Sequence, residues 1–479
     1  MYKANAPRII FARPNSWATT HCACAVDSAV PSTLPKGVIS GSWQKTPDLF
    51  QTPLPDGHEV AFHPASAWGP VVLNAPAQEL LKTYRQPHDL ISPSAQTLAQ
   101  LGLLQPLTLP APELPLNTRP HTLTAWLHLT NDCNLSCTYC FVRKNDETMS
   151  PEVGLAAVDA VFRSARADGF SAVKLKYAGG EPTLNFSLIR ALHTRAINLS
   201  QNYGIELQEV ILSNGISLTA DMLDFIQTKD IILSISLDGL DEGHDSQRVF
   251  ANGRGSSQHV RRGIQRALEH GISPHLSITV TRHNVDELPR VVSFALEHEL
   301  YFNLNFYLEH TPWTSHQDLQ ADNKRLIAGL RQALAVIESN LPAYNVFTSL
   351  LDRTNLAGAH NRACGAGDSY MVIDHHGQVA RCQMEMHKPV TDIWSTQPLA
   401  DIRLYEPGAD GPSFLEVEEK SSCNTCPWRY VCGGGCTMMT YRLHGRSDMP
   451  SPYCDVYKAI LPEIVRLEGL RLLKWHNVN

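Results

Sequence analysis

The sequence lacks the long apolar run that a membrane span requires, for nowhere do about 18 consecutive apolar residues occur. Its opening residues, MYKANAPRIIFARPNSW, contain no continuous apolar stretch of the signal-peptide kind. The protein is therefore expected to be cytoplasmic, with no membrane partner. Positive charge is not in excess either. Lys and Arg number 40 against 47 Asp and Glu, a net charge of -7, which argues against a broad cationic surface for nucleic acid. At 479 residues and 43% apolar composition the chain has the length and core material for two or three globular domains.

Cysteine, by contrast, is plentiful. Twelve cysteines in a chain without an export signal belong to a reducing compartment, where clustered thiols are metal ligands more often than disulfides. Their distribution is uneven: Cys22 and Cys24, then Cys133, Cys137 and Cys140, then seven from Cys364 to Cys454.

Between these groups the residue pattern marks out domains. Residues 1–50 are rich in Ser, Thr, Pro and Ala without periodicity, and read as a loosely ordered arm. Residues 51–110 alternate short strand-like and helix-like stretches, a small α+β unit followed by a Pro-rich linker. From 120 to 310, strands expected at 124–130, 173–178, 210–213, 232–237, 276–280 and 302–308 alternate with helices that include 151–167, 186–199, 257–270 and 285–298. Repeated βα units imply an α/β fold with a parallel sheet. Six of them predict a partial (β/α)6 barrel, since a closed one has eight. A bridging helical region, 311–355, includes an amphipathic helix at 321–339, and a cysteine-rich domain spans 356–479.

The string NDCNLSCTYCF places C-x3-C-x2-C directly after the first barrel strand, where parallel α/β folds carry their chemistry. Three thiolates suit a [4Fe–4S] cluster with one iron left open to a further ligand. A zinc knuckle short of one ligand, or three buried thiols, fits the spacing alone as well.

With the motifs that follow in order, the segment resembles the radical S-adenosylmethionine (SAM) superfamily. Tyr139 stands before the third cysteine, a position near the adenine in that family. Gly179-Gly180-Glu181-Pro182 follows the second strand and matches the motif that receives the SAM ammonium group, with glycines allowing close backbone approach. Ser213-Asn214-Gly215 ends the third strand and is placed to meet the ribose. Ser236 ends the fourth and contacts SAM by resemblance. Arg248 matches an arginine that pairs with the SAM carboxylate, and Val280 closes the fifth strand at an apolar adenine contact. The resemblance implies reductive cleavage of SAM to a 5′-deoxyadenosyl radical that takes hydrogen from a substrate carbon.

The C-terminal run, Cys364, Cys382, then Cys423-x2-Cys426-x5-Cys432-x3-Cys436 and Cys454, is open to zinc or iron–sulfur on spacing alone. It resembles the SPASM extension of radical SAM enzymes, which implies two auxiliary [4Fe–4S] clusters and three clusters in all. By resemblance Cys423, Cys426, Cys432 and Cys454 hold one of them, and Cys364, Cys382 and Cys436 the other. Tyr370 occupies the position at which some members carry a further cysteine, so this second set is expected to leave an iron open. Cys22 and Cys24 lie outside every motif; they are ordinary thiols of the arm, additional ligands for that iron, or a substrate mimic.

Residues 69–106 resemble the PqqD-like winged-helix domains of enzymes that modify ribosomally made peptides. This resemblance implies a peptide or small-protein substrate bound through a leader segment, and an electron donor such as flavodoxin or ferredoxin. The product expected is a thioether or carbon–carbon crosslink. Epimerisation and formylglycine formation are the alternatives. The latter is disfavoured because Gln383, not aspartate, follows Cys382. A different class, a non-catalytic metal-binding peptide adaptor, would never cleave SAM.

Overall fold

A computed structural model describes residues 6–12, 41–66, 68–107, 120–308, 319–408 and 411–475. Cys22 and Cys24 lie outside these residues. The N-terminal unit contains strands β1 (Ile9–Phe11), β2 (Ser42–Lys45), β3 (Phe50–Pro53), β4 (Glu59–Phe62), β5 (Val71–Leu73), β6 (His88–Asp89) and β7 (Leu104–Pro106). They form a four-stranded antiparallel sheet ordered β1-β5-β4-β3 and a three-stranded one ordered β6-β2-β7. Helices Ala75–Thr83 and Pro93–Gln100 lie between them, each capped by a polar side chain, Asn74 and Ser92, that accepts a first-turn N–H. The segment expected to be a loose arm thus supplies β1 and β2. Apolar Ile10 and Trp43 drive this, since each is buried and pairing satisfies the backbone polar groups carried in with it.

The barrel follows with β8 (Thr122–His128), β9 (Ala172–Ala178), β10 (Glu206–Ser213), β11 (Ile232–Ser236), β12 (His275–Val280) and β13 (Phe302–Phe306), six parallel strands paired in chain order. Helices Pro151–Asp168, Phe186–Tyr203, Ser257–Glu269 and Leu288–Glu297 stand where periodicity placed them. The first runs from a Ser150 cap, whose hydroxyl accepts from Val153 N–H, to Gly169 in the left-handed conformation. The first strand ends at His128, two residues before the expected end; Leu129 N–H still donates to Ala178 O at 2.8 Å, and Leu129 and Thr130 then pair with the segment around Thr148 that follows the cysteine loop.

The sheet does not stop at the expected domain boundary. Strand β14 (Tyr370–Ile373) pairs in parallel with β8, and β15 (Gln378–Ala380) and β16 (Thr391–Asp392) extend it to nine strands. The C-terminal cysteine region is therefore joined to the barrel edge by main-chain hydrogen bonds. The chain then forms a 22-residue helix, Cys454–Trp475, packed against helix Asn323–Ser339 and the N-terminal sheet. Gly469 makes the latter contact possible, for a Cβ there would lie 2.9 Å from Val60 Cβ. One continuous apolar core runs from Ile10, Val60 and Phe62 through the barrel to Ile460 and Val465. Trp428, between Cys426 and Cys432 in sequence, stacks 6.2 Å from the Phe62 ring and links the N-terminal sheet to that region.

Candidate active site

Strand alternation decides which side chains meet inside the barrel. In β11 and β12, Ser234, Ser236, Ser277 and Thr279 face a cavity of about 280 Å³, while their neighbours face the helices. Cys133, Cys137 and Cys140 line the same cavity, with Tyr139, Ser213, Asn214 and Arg248. Gly179 and Gly180 line it too. Pro182 opens the short helix Pro182–Asn185 outside it. Val280 lies in the hydrophobic core and does not line the cavity, whereas Thr279 does.

The cysteine loop is held by backbone contacts that demand glycine. Gly180 N–H donates to Thr130 O at 2.7 Å and Glu181 N–H to Asp132 O at 2.8 Å. A Cβ at Gly180 would lie 2.1 Å from Asp132 O, and one at Gly179, where φ is +153°, would lie 2.4 Å from Thr130 O. The two glycines are needed because the chain packs on itself here.

Glu181 is buried, and its carboxylate is already engaged. It accepts from Ser213 Oγ (2.9 Å), Thr183 Oγ1 (2.6 Å), Thr183 N–H (3.2 Å) and Asn214 N–H (2.7 Å). Burial nonetheless holds its pKa above the ordinary carboxylate value, against these donors. Asn214 Nδ2 in turn donates to Asn134 Oδ1 at 2.7 Å, inside the cysteine loop.

Asp238, given no role by sequence reading, is the centre of a second network. Its Oδ2 accepts from the Tyr139 hydroxyl at 2.6 Å and from Gln247 Nε2 at 3.0 Å, and its Oδ1 from Thr279 N–H at 2.9 Å. Arg248 donates to the Tyr139 oxygen and lies 3.9 Å from Asp238. Burial raises the Asp238 carboxyl above its usual value, and Arg248 opposes the shift. Asp352 and Arg353 also line the cavity, with Arg353 at φ +58°. The signal for Asp238 was its place in the Ser236-Leu237-Asp238-Gly239 strand end; nothing local marked Asp352 or Arg353.

All ten described cysteines are free thiols. Among the described residues no three cysteine sulfurs lie mutually within 4.8 Å. A tetrahedral zinc with Zn–S bonds of about 2.3 Å would bring them to about 3.8 Å. Cys133, Cys137 and Cys140, lining one cavity, are the donor set of an iron–sulfur cluster with one iron left open. Burial pushes Cys137 up to about 11, with Arg248 opposing, and Cys432 up to about 12. Such thiols give up their protons readily only to a metal. Burial pulls Lys144 down, but Cys140, Cys133 and Cys137 outweigh it and hold the ammonium above its ordinary pKa.

In the C-terminal region Cys423, Cys426, Cys432 and Cys454 act on one another electrostatically, which places them together. Buried Lys420 feels Cys423 and Cys432 from that group and Cys364 and Cys436 from the other. Cys382 is buried at the end of the β14–β15 hairpin, beside Gln383, whose Oε1 accepts from the Tyr370 hydroxyl at 3.0 Å. Tyr370 thus fills the position of a further ligand with a buried ring.

Residues 127–295 match the Radical SAM superfamily. With the thiol-lined cavity in that same segment, residues 127–295 form a radical SAM domain, and the chain is an enzyme. Its relatives fall into several activities. It is 23% identical to Fe-coproporphyrin III synthase of Methanosarcina barkeri, over 73% of this chain and 92% of that one. It is 25% identical to a cysteine-type anaerobic sulfatase-maturating enzyme of Clostridium novyi (69% and 91%) and 22% identical to the PqqA peptide cyclase of Methylobacterium nodulans (71% and 87%). A shorter match, 29% identical over 172 residues, covers 36% of this chain and 57% of protein MJ0907 of Methanocaldococcus jannaschii. Among solved structures, native anSMEcpe with bound AdoMet and Cp18Cys peptide superposes with a TM-score of 0.58 at 17% identity, covering 75% of this chain and all of that one. Streptococcus suis SuiB bound to precursor peptide SuiA gives 0.50 at 15% identity, covering 86% and 99%. At these identities the structural likeness concerns the fold.

Proposed function

We propose that this enzyme is a maturase that modifies a ribosomally made peptide or small protein, installing a thioether or carbon–carbon crosslink. The observation that supports it is three cysteines lining the barrel cavity, with Cys423, Cys426, Cys432 and Cys454 together in the C-terminal region and Cys364 and Cys436 near the buried Lys420. Cys133, Cys137 and Cys140 would hold a [4Fe–4S] cluster, and Cys423, Cys426, Cys432 and Cys454 a second. Cys364, Cys382 and Cys436 would hold a third with an open iron. That iron can take a substrate thiolate, whose pKa a metal lowers. When bound, the first cluster and SAM supply one-electron chemistry that removes hydrogen from an unactivated carbon.

The chain's own residues prepare the cavity. Arg248 is the cation for the SAM carboxylate, oriented by Tyr139 and Asp238. Ser236 and Thr279 offer hydroxyls from the strand ends, and the apolar faces of Trp126, Phe141 and Leu308 keep water from the reacting carbon. The N-terminal sheets would receive a leader segment as an added strand. Flavodoxin or ferredoxin would supply electrons in the cytoplasm. Among the described residues no helix is long and apolar enough to cross a membrane.

Sulfatase-type formylglycine formation is the second reading, favoured by the relatives that mature sulfatases. Against it stands Gln383, an amide that lines the cavity at the position after Cys382 where the resemblance to those enzymes expects an aspartate. Co-expression with the neighbouring short open reading frames, followed by tandem mass spectrometry, separates the readings. A crosslink removes two hydrogens and leaves no aldehyde, whereas formylglycine reacts with a hydrazide. Reconstituted enzyme should hold about twelve irons per chain and form 5′-deoxyadenosine only with reductant. Product formed by a Cys133→Ala variant would overturn the mechanism.

A further inference from the structure

Outside the cysteine groups, two histidines and a glutamate converge where two neighbouring strands end. Glu147 follows the cysteine loop and is tied to the end of β8: its carbonyl accepts from Asn131 N–H at 2.9 Å and from Thr130 Oγ1 at 3.1 Å. His375 and His376 occupy the β14–β15 turn, which Asp374 Oδ1 pins by accepting from His376 N–H at 2.9 Å and Gln378 N–H at 2.8 Å. Gly377, at φ +84°, closes that turn. Because β14 pairs with β8, turn and loop are brought side by side.

The donor atoms of Glu147, His375 and His376 lie within 4.8 Å of one another. His375 Nε2 is 3.4 Å from Glu147 Oε2, and His376 Nε2 is 3.8 Å from Glu147 Oε1. A tetrahedral zinc with bonds of about 2.0–2.1 Å separates its ligand atoms by about 3.4 Å. The observed spacing is that of ligands around one ion, and longer than a hydrogen bond requires. The His375 side chain is only 9% exposed; its Nε2 faces Glu147, and its buried Nδ1 has no hydrogen-bond partner among the described residues. Buried polar atoms without a partner are rare and point to an absent ligand or ion. Behind it, the His128 ring lies 6.0 Å from that of His375, and Phe141, Gln383 and Met384 separate the pocket from the main cavity while lining both.

We propose that Glu147, His375 and His376 form a mononuclear site for a divalent transition ion of the zinc class. Imidazole and carboxylate donors suit such an ion and differ in kind from the all-thiolate sets. The ion joins the segment that follows the cysteine loop to the hairpin leading to Cys382. It is a clasp between the barrel and the C-terminal region.

The test is an anaerobic titration of the reconstituted, iron-loaded enzyme with Zn²⁺ against a chromophoric zinc indicator, followed by zinc-edge X-ray absorption. About one zinc per chain, with nitrogen and oxygen scatterers only, is the expected result. His376→Gln, an exposed change that leaves the fold intact, should weaken zinc binding at least about tenfold, and His375→Ala with His376→Gln should abolish it. Iron content, measured on the same samples, should not change. Zinc should also raise the melting temperature of the wild type and not of the double variant. Sulfur scatterers, no zinc uptake, or equal uptake by the double variant would overturn the proposal.

Discussion

Glu181 accepts the backbone N–H of Asn214 at 2.7 Å, so the acidic residue after the second barrel strand holds the turn that ends the third. The same carboxylate takes the Ser213 hydroxyl, and Asn214 reaches on to Asn134 in the cysteine loop. Three successive strand ends are thereby fixed relative to the thiols. Motif residues that read from sequence as ligand contacts are also the framework that positions the site.

Glu181→Gln sets an amide NH₂ against one of those donors. Leaving a buried donor unmatched costs about 1–3 kcal/mol. Thermal melting should fall, and SAM affinity should drop at least about tenfold as the strand ends shift. Equilibrium dialysis with SAM, beside calorimetry on the same protein, measures both.

Gly180→Ala drives a Cβ into the Asp132 carbonyl, a backbone atom that cannot swing aside. The cysteine loop must move. Reconstituted variant should lose about four irons per chain, those of the first cluster, while keeping the rest. Iron analysis with electron paramagnetic resonance distinguishes this from general unfolding.

Tyr139→Phe removes the hydroxyl that both Asp238 and Arg248 use. Two buried charged groups then lose a partner, so a loss of about 2–4 kcal/mol in stability is expected from denaturant melts. Adding Asp238→Asn to Tyr139→Phe should cost less than the sum of the two single changes, as coupled partners do.

His244 gives the fold a pH dependence. Its Nδ1 accepts from Asp238 N–H at 3.2 Å, which requires the neutral ring. Burial holds its pKa well below 6.5, with Arg248 and Arg261 acting the same way. The unfolded chain therefore binds the proton first. This group's contribution to stability is full above about pH 6.5 and declines as pH falls below it. His244→Gln should flatten the slope of melting temperature against pH on that acid side; an unchanged slope would remove His244 as its source.

Lys420→Met deletes the buried cation that feels cysteines of both C-terminal groups. Clusters there would lose a stabilising positive charge on their reduced forms. Their reduction potentials should fall by tens of millivolts, read by redox titration, with iron content unchanged.

Much of this was legible in residue order. Helices and strands of the barrel followed apolar periodicity and capping residues such as Ser150. The cysteine spacings marked the thiol groups, because a loop of two to five residues limits how far apart its ligands can sit. Within residues 1–50, strands β1 and β2 were not legible, since they are held by partners far along the chain, at Leu73 and Pro106.

What local pattern could not carry was everything that depends on two distant segments meeting. Which face of β12 looks inward put Thr279, not Val280, on the cavity. Pairing of β14 with β8 continued the sheet across the expected boundary and set His375 and His376 beside Glu147. Asp238 and Gly180 acquire their roles only from burial and from backbone atoms more than forty positions away, those of Thr279 and Asp132, and Lys420 from burial beside cysteines of both C-terminal groups. Covalent neighbours determine helix, strand and ligand spacing. Long-range pairing and the exclusion of water determine which buried charges must find one another.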